Sequence, residues 1–409
     1  MEFKHTTLDN GLTLVAEVAA ETASLAVGFF ARTGSRDETD AEHGVSHFLE
    51  HMMFKGTARR SAFDVNREFD EMGANYNAFT NEENTVFYAA VLPEFQARAA
   101  DLLGDILRPS LREEDFQTEK QVILEEIALY EDRPEFRLYE KLMGAYFAGH
   151  PLGRSVLGTG ESITALTRDA MADYFGRRYS PANMTLVAVG NLDWDALVEQ
   201  VRAACGHWTG PDDERAFPDV PSNRPRTCVT DPKLSRQHLG LAGRAPAAQA
   251  DERYAAQLLA SILGDDTGSR LYYALIEPAI AEDASVHYDA MDQTGAMLTF
   301  VTSDADRAEQ ALAIVRAEFK RFCDDGPTAD ELTAAKNKLA SAAVIGGEVP
   351  MGRLTAVGFD WVYRRTYTPL AEQIDTMLAV TADEVLAIAR QFDLNDTALL
   401  GLGPCATLS

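Results

Sequence analysis

The chain has 409 residues, of which 46% are apolar and 25% are charged, and its formal net charge is −27. This composition excludes a mainly disordered protein, and the length exceeds what one hydrophobic core usually holds, so two domains are expected. The charge argues against nucleic acid, which needs a concentrated basic face, and is typical either of a solvated surface or of one that suits cationic partners.

The first half of the chain predicts one complete unit of strands and helices. Strand segments flank the Asn10-Gly11 turn, an alternating apolar strand covers 24–30, and two strands joined through 80–84 cover 74–92. Apolar periodicity predicts six helices, at 44–54, 61–72, 93–108, 112–130, 135–148 and 167–179. A short apolar strand at 184–189 completes the layered unit.

The second half repeats the first in outline. A strand at 239–242 and a helix at 254–263 match the earlier strand at 25–30 and helix at 44–54. Between the halves, residues 209–225 are rich in proline and charge, as linkers are. The expected fold class is therefore α+β, with two homologous domains at 1–208 and 226–409, each a mostly antiparallel sheet packed with helices.

The helix at 44–54 carries the strongest chemical signal. His47 and His51 are four residues apart, which places them about 40° apart on one helix face, so both imidazoles can bind one tetrahedral metal ion. Glu50 lies beside them, where it can contact a water on the metal, and this placement suits a general base. The matching helix of the second half has no histidine, so only the first domain is expected to bind a metal; that helix carries Gln257, Leu258, Leu259 and Ser261.

A carboxylate from another helix completes the expected metal site. Glu119 and Glu126 are seven residues apart and lie about 20° apart on one helix face, whereas Glu125 points elsewhere. Two histidines leave a catalytic zinc ion in need of one more protein ligand and a water, and Glu126 is the candidate for that ligand. The donor set favours zinc but is also compatible with manganese or cobalt.

The segment His47-Phe48-Leu49-Glu50-His51 is the inverted HxxEH motif of the inverzincins. The chain resembles the pitrilysin and insulinase family, in particular its shorter members similar to mitochondrial processing peptidase. The resemblance covers the first half strongly, through 77–80, 149–153, 158–159 and 179–184, and the second half loosely, through 269–272 and 380–385.

The resemblance assigns roles to several residues. It implies that the last metal ligand is Glu126, 75 residues beyond His51, and that Glu119 is a supporting carboxylate that orients the ligands. It implies two domains that close as a clam shell around an unfolded peptide. It also implies that Asn77, Ala78 and Phe79 lie on a sheet edge near the zinc and contact the peptide backbone, although an ordinary hairpin strand explains the same residues.

One departure from the family concerns the second half. Active relatives carry there an arginine and, seven residues later, a tyrosine that bind the substrate near the developing oxyanion. The matching positions hold Ile276 and Asp283. Three explanations remain open: a partner chain supplies the pair, which we favour; the enzyme is weak; or the pair is replaced by one of Arg270, Tyr272 and Tyr273.

The expected function is that of a zinc-dependent endopeptidase acting on peptides or unfolded polypeptides, with Glu50 as general base. The alternative is a non-catalytic or partner-dependent subunit of a heterodimeric processing peptidase. A homodimer or a heterodimer with a related subunit is expected in either case. Basic peptides would suit the acidic charge of the chain.

The remaining sequence features bear on compartment. The four cysteines are far apart and form no CxxC pair, which predicts reduced, buried thiols; they are Cys205, Cys228, Cys323 and Cys405. The first residues contain no apolar targeting segment, and no stretch reaches the roughly 18 apolar residues of a membrane span. We therefore expect a cytoplasmic protein that does not bind membranes.

Overall fold

Two β-sheets organise the chain in the computed structural model, which describes residues 1–211, 213–221, 223–265 and 267–408. The strands of the first sheet are β1 (Glu2–Thr7), β2 (Thr13–Val18), β3 (Leu25–Ala31), β4 (Asn75–Thr80), β5 (Thr85–Val91) and β6 (Met184–Gly190). Those of the second are β7 (Arg226–Thr230), β8 (Arg236–Arg244), β9 (Asp283–Met291), β10 (Thr294–Asp304) and β11 (Ala398–Gly403).

Helices precede, connect and cover these strands. They are α1 (Val45–Met53), α2 (Ala62–Glu71), α3 (Gln96–Ile106), α4 (Glu113–Glu131), α5 (Pro134–Tyr146), α6 (Gly160–Ala165), α7 (Arg168–Arg178), α8 (Trp194–Cys205), α9 (Arg253–Gly264), α10 (Ala308–Asp325), α11 (Ala329–Gly347), α12 (Pro350–Arg364), α13 (Leu370–Ala379) and α14 (Ala382–Gln391).

Five strands of the first sheet have the same topology as the five strands of the second. The first has the order β1-β2-β6-β3-β5-β4 and the second the order β7-β11-β8-β10-β9, so β2 corresponds to β7 and β4 to β9. In each sheet one pair is parallel, β2 with β6 and β7 with β11, and the other pairs are antiparallel. The predicted fold class, α+β with two homologous and mostly antiparallel halves, is confirmed.

The chain divides into two compact units that do not follow the sequence halves strictly. One unit comprises Met1–Leu129, Arg154–Ala216 and Ile345–Thr368, and the other comprises Tyr130–Gly153, Phe217–Val344 and Pro369–Ser409. Each unit thus contains one segment that the linker prediction assigned to the other domain. These segments hold α5 and α12, which are equivalent in the repeat because each follows a 19-residue helix.

Within the first unit, α12 covers one face of the first sheet. Ala26 and Phe30 of β3 join its apolar core cluster, and helices α1, α3 and α8 pack on the strands as well. Gly358 permits the close approach, because a Cβ atom there would lie 2.2 Å from the Phe30 ring. Since β3 packs against helices on both faces, all of its residues are buried, as its apolar run predicts.

Within the second unit, α5 takes the equivalent place. Leu138, Leu142, Met143 and Tyr146 pack against buried residues of β8, β10 and β11. Residues of α9, α10 and α14 form a second cluster with other buried residues of the same sheet. Both sheets are therefore buried between helices, and each uses one helix from the opposite half of the sequence.

The predicted elements of the first half agree with the structure to within a few residues, but helices α6 and α8 were not predicted. The segment at 209–225 contains no helix or strand among its described residues, yet Arg215 within it is buried and pairs with Asp37 at 2.7 Å. Part of the expected linker is thus anchored in the first unit.

Candidate metal centre

Helix α1 begins at a sharply defined point. Gly44 precedes it with φ +89°, and a Cβ atom there would lie 2.9 Å from the Cα atom of Gly158. The buried carboxylate of Glu38 accepts hydrogen bonds from the backbone N–H groups of Gly44 (2.7 Å) and Ser46 (2.8 Å). These N–H groups have no partner within the helix, so Glu38 caps it. The apolar face predicted from the sequence is buried: Val45, Phe48, Leu49, Met52 and Met53.

The structure brings the side chains of His47, His51 and Glu126 together. Glu126 Oε2 lies 3.8 Å from His47 Nε2 and 3.6 Å from His51 Nε2. The three ligand atoms lie within 4.8 Å of one another, and within the part of the chain that the structure describes no other such group of histidine, cysteine, aspartate or glutamate occurs. Bonds of about 2.0–2.2 Å in a tetrahedral site separate ligand atoms by about 3.3–3.6 Å, so these residues fit a zinc-sized ion.

The protonation of the two histidines matters because a metal binds the neutral imidazole. Burial, with a smaller effect from His51, lowers the pKa of His47 to about 3, so this ring is neutral near pH 7. Burial also lowers the pKa of His51, but its hydrogen bond to Glu119 and the charges of Glu126 and Glu50 outweigh burial and raise it. In the absence of metal, His51 is therefore the ring that holds a proton more readily.

Glu119 supports His51 from behind. Its Oε1 lies 2.9 Å from His51 Nδ1, and its Oε2 lies 2.5 Å from Lys55 Nζ. Burial raises the pKa of Glu119, but the hydrogen bonds from His51 and Lys55 outweigh it and leave the pKa below the usual value. A carboxylate at Nδ1 directs Nε2 toward the metal position. Lys55 was not singled out in the sequence, although it follows His51 by four residues.

Glu50 is held by a residue of the neighbouring sheet. Thr80 Oγ1, at the end of β4, donates a 2.6 Å hydrogen bond to Glu50 Oε2. Burial and the charge of Glu126 raise the pKa of Glu50, while Thr80 and His51 oppose the shift. A carboxylate with a raised pKa beside a metal position is suited to proton transfer.

Strand β4 is an edge of the first sheet, so one side of its backbone is not paired with another strand. Ala78 is buried on the face that Thr80 shares, because alternate residues of a strand point the same way. Asn77 and Phe79 point to the opposite face, where Phe79 lies 6.3 Å from the ring of Phe359. The three predicted substrate contacts therefore lie on an edge strand without sharing one side-chain surface, and the N–H of Ala78 donates to Asn77 Oδ1 (2.9 Å).

The second unit contains a cavity of about 690 Å³ beside α9. Its lining includes Gln257, Ala260, Ser261 and Gly264 of α9, Leu339 and Ala343 of α11, and several residues of β9. Gln257, Ala260 and Ser261 have the same spacing as His47, Glu50 and His51 on α1. The cavity therefore lies at the position in the repeat that corresponds to the cluster of His47, His51 and Glu126, and the α9 residues that line it include no histidine.

The three candidates to replace the missing arginine and tyrosine have separate environments. Arg270 donates to both carboxylate oxygens of Glu331 (2.7 and 2.9 Å) and to the carbonyl of Gly326 (2.8 Å). Tyr272 lines the cavity beside α9. Tyr273 is 57% exposed. Arg270 thus forms an ion pair with Glu331 within the second unit.

Among the described residues, no helix is both long and apolar enough to cross a bilayer.

Sequence comparisons match the chain to known proteins. The family model described as insulinase (peptidase family M16) matches residues 13–160, and the model described as the peptidase M16 inactive domain matches residues 165–339. The chain is 31% identical to an uncharacterized zinc protease of Mycobacterium tuberculosis over 98% of this chain and 93% of the relative. It is 28% identical to an uncharacterized zinc protease of Bacillus subtilis over 99% of each chain.

Solved structures show the same fold. A protease from Helicobacter pylori superimposes with a TM-score of 0.92 at 19% identity, over 98% of this chain and 99% of the other. A structure described as a peptidase M16 inactive domain from Pseudomonas fluorescens has a TM-score of 0.89 at 20% identity and covers 100% of both chains.

Proposed function

Because the chain belongs to peptidase family M16, we propose that it is a zinc-dependent endopeptidase that hydrolyses peptides or unfolded polypeptides. The observation that carries the proposal is the convergence of His47, His51 and Glu126 beside Glu50. The names of the curated relatives, which are uncharacterized zinc proteases, support the same reaction class.

His47, His51 and Glu126 would hold the metal. Two imidazoles and one carboxylate are a donor set of catalytic zinc sites, and they leave one position for water or substrate. A bound zinc ion acidifies water and polarises a peptide carbonyl, which is the chemistry that hydrolysis needs. Glu119 keeps the Nδ1 atom of His51 occupied, so that Nε2 is the nitrogen available for binding.

Glu50 acts as the general base. It takes the proton of the attacking water and then delivers it to the nitrogen of the leaving amine. Burial favours this role because it raises the pKa of the carboxylate toward neutral pH, where both acceptance and donation of a proton are efficient.

The substrate would bind along the free edge of β4. An extended peptide can add to such an edge through backbone hydrogen bonds, which makes recognition tolerant of sequence. Asn77, Ala78 and Phe79 are the proposed contacts, because this stretch ends at Thr80, which touches the base.

The proposal is tested by peptide hydrolysis with the purified chain, the Glu50→Gln variant and a chelator-treated sample. Glu125→Gln is the matched control, since Glu125 is exposed on α4 next to Glu126. Glu50→Gln and chelation should abolish hydrolysis, and Glu125→Gln should retain it. Activity that survives Glu50→Gln would refute the mechanism.

A partner-dependent subunit is the second candidate. It is favoured by Ile276 and Asp283 at the positions of the expected arginine and tyrosine, and by the engagement of Arg270 with Glu331. The test is to measure zinc content, activity and mass in solution together. A zinc-loaded chain that is inactive alone and gains activity with a related subunit would establish this alternative over self-sufficient catalysis.

A further inference from the structure

We propose that Thr80 is a positioning residue for Glu50, which fixes the carboxylate so that only one of its oxygens is free to exchange a proton. The inference rests on the proposed role of Glu50 as general base. Its origin is the contact between the last residue of the edge strand β4 and the helix that carries the metal ligands.

The contact is short and directional. Thr80 Oγ1 lies 2.6 Å from Glu50 Oε2, in the range of hydrogen bonds to an ionised carboxylate. The next hydroxyl, Thr85 Oγ1, is 3.4 Å from Thr80 Oγ1, so the single hydroxyl proton of Thr80 is best placed for Glu50. Within the described residues, Oε1 of Glu50 has no hydrogen-bond partner.

The turn that follows Thr80 is held by four hydrogen bonds. Asn81 Oδ1 accepts hydrogen bonds from the backbone N–H groups of Glu83 (2.9 Å) and Asn84 (2.7 Å). The N–H of Asn81 donates to the carbonyl of Asn84, and the N–H of Arg36 donates to the carbonyl of Glu82. These bonds restrain the backbone directly after Thr80.

Buried side chains hold the same turn from below. Glu83 is 3% exposed, and its carboxylate accepts from Arg36 Nη1 (2.5 Å) and from the Tyr363 hydroxyl (2.9 Å). Tyr363 also accepts a hydrogen bond from Asn84 Nδ2 (2.8 Å), and Arg215 donates to the carbonyl of Glu83. These bonds tie the turn to Arg36, Tyr363 and Arg215, and they restrict the position of the adjoining Thr80.

This geometry assigns the two oxygens of Glu50 different tasks. Oε2 is anchored to the sheet edge along which the peptide is proposed to bind, and Oε1 remains for the proton of the attacking water. A base held by a supporting hydrogen bond keeps its reactive geometry without reordering at each turnover. The same bond links the register of the edge strand to the position of the base.

The test compares Thr80→Val, which removes the hydroxyl at nearly constant shape, with Thr80→Ser, which retains it. For Thr80→Val we expect kcat for an unfolded peptide to fall about 10- to 100-fold. KM, the zinc Kd from chelator competition and the thermal midpoint should stay near the native values. Thr80→Ser should restore most of the lost kcat.

An unchanged kcat in Thr80→Val would overturn the inference. A loss of zinc affinity or a rise in KM that accompanies the fall in kcat would also overturn it, because either result indicates a structural role for Thr80. Crystal structures of the zinc-loaded native chain and Thr80→Val provide a readout that needs no activity. A displaced or disordered Glu50 carboxylate supports the inference, and an unmoved one overturns it. If the native chain binds zinc but hydrolyses nothing, the proposed function fails, and the structures still decide the role of Thr80.

Discussion

The two repeats place the same three elements around one position and fill it differently. In the first unit, α1, α4 and the edge strand β4 surround His47, His51 and Glu126. In the second, α9, α11 and the edge strand β9 surround a cavity, and α9 presents Gln257, Ala260 and Ser261 at the matching spacing. The comparison teaches that both units place the same elements around this position, whereas a few side chains decide whether the position can bind a metal.

The supporting residues differ in the same way. The start of α1 is capped by the buried carboxylate of Glu38, whereas no side chain caps the start of α9 at Glu252. Precise placement of a helix matters where its side chains must converge on one ion, and it matters less where no such ligand set is present.

The largest expected effect comes from giving α1 the residues of α9. The triple variant His47→Gln, Glu50→Ala and His51→Ser should bind zinc far more weakly than the native chain. The loss of affinity should exceed the about 10- to 100-fold loss that is typical when a residue supporting a metal ligand is replaced. It should keep its helical content, because α9 folds with those residues. Metal analysis after dialysis and circular dichroism check both expectations. Retention of one zinc per chain would place the metal elsewhere and break the comparison.

The next largest effect concerns stability and the two helices, α5 and α12, that pack in the unit formed mainly by the other half of the sequence. Arg353 of α12 forms a fully buried ion pair with Glu17 of β2, with Nε–O distances of 3.0 and 2.9 Å. Arg353→Met leaves that carboxylate without its charge partner and should lower the free energy of unfolding of the apo chain by about 3–5 kcal/mol.

On the equivalent helix α5, Leu142→Ala provides the comparison. Leu142 is fully buried in an apolar cluster, and its truncation should cost about 2–5 kcal/mol through the cavity it leaves. Urea denaturation measures both variants. If the double variant Glu17→Gln, Arg353→Met is as unstable as Arg353→Met alone, the unpaired charge is not the cause.

A smaller effect is expected from Glu119, whose place on α4 has no acidic counterpart among the cavity residues of α11. Glu119→Ala removes the partner of His51 Nδ1 and should weaken zinc binding about 10- to 100-fold. Chelator competition measures this loss. Glu125→Ala, on the exposed face of the same helix, should bind zinc like the native chain; equal weakening in both variants would indicate a general effect of charge.

The last expected effect differs in kind, because it is a pH dependence of stability caused by Glu38. Burial raises the pKa of Glu38 from 4.5 to about 8, although the N–H groups of Ser46 and Gly44 oppose the shift. A carboxyl group whose pKa is raised in the folded state contributes stability below its unfolded pKa and loses it as the pH rises through the folded value. The apo native chain should therefore lose stability between pH 4.5 and 8.

The control for this effect is Glu38→Gln, which cannot titrate. Unfolding of chelator-treated samples across that pH range should show a shallower decline for the variant than for the native chain. Parallel curves would mean that Glu38 stays ionised and caps α1 as a charge.

Much of the site was predictable because helical and strand periodicity is local. The four-residue spacing of His47 and His51, the apolar back of α1 and the hairpin of β4 and β5 all follow from neighbouring residues, and they agree with the structure. The place of Glu126 followed from its helix and from the resemblance, since a separation of 75 residues has no local signal.

Tertiary structure alone decided the contacts that join distant segments. The bonds from Thr80 to Glu50 and from Lys55 to Glu119, the burial of Arg215 and the packing of α12 on the first sheet depend on how elements meet. The spacing of side chains within a helix or strand determines which residues share a face. The burial of apolar surface across the whole unit determines which faces contact each other. The sequence by itself therefore determined the helix that carries His47, Glu50 and His51, and the tertiary structure determined what holds the Glu50 carboxylate in place.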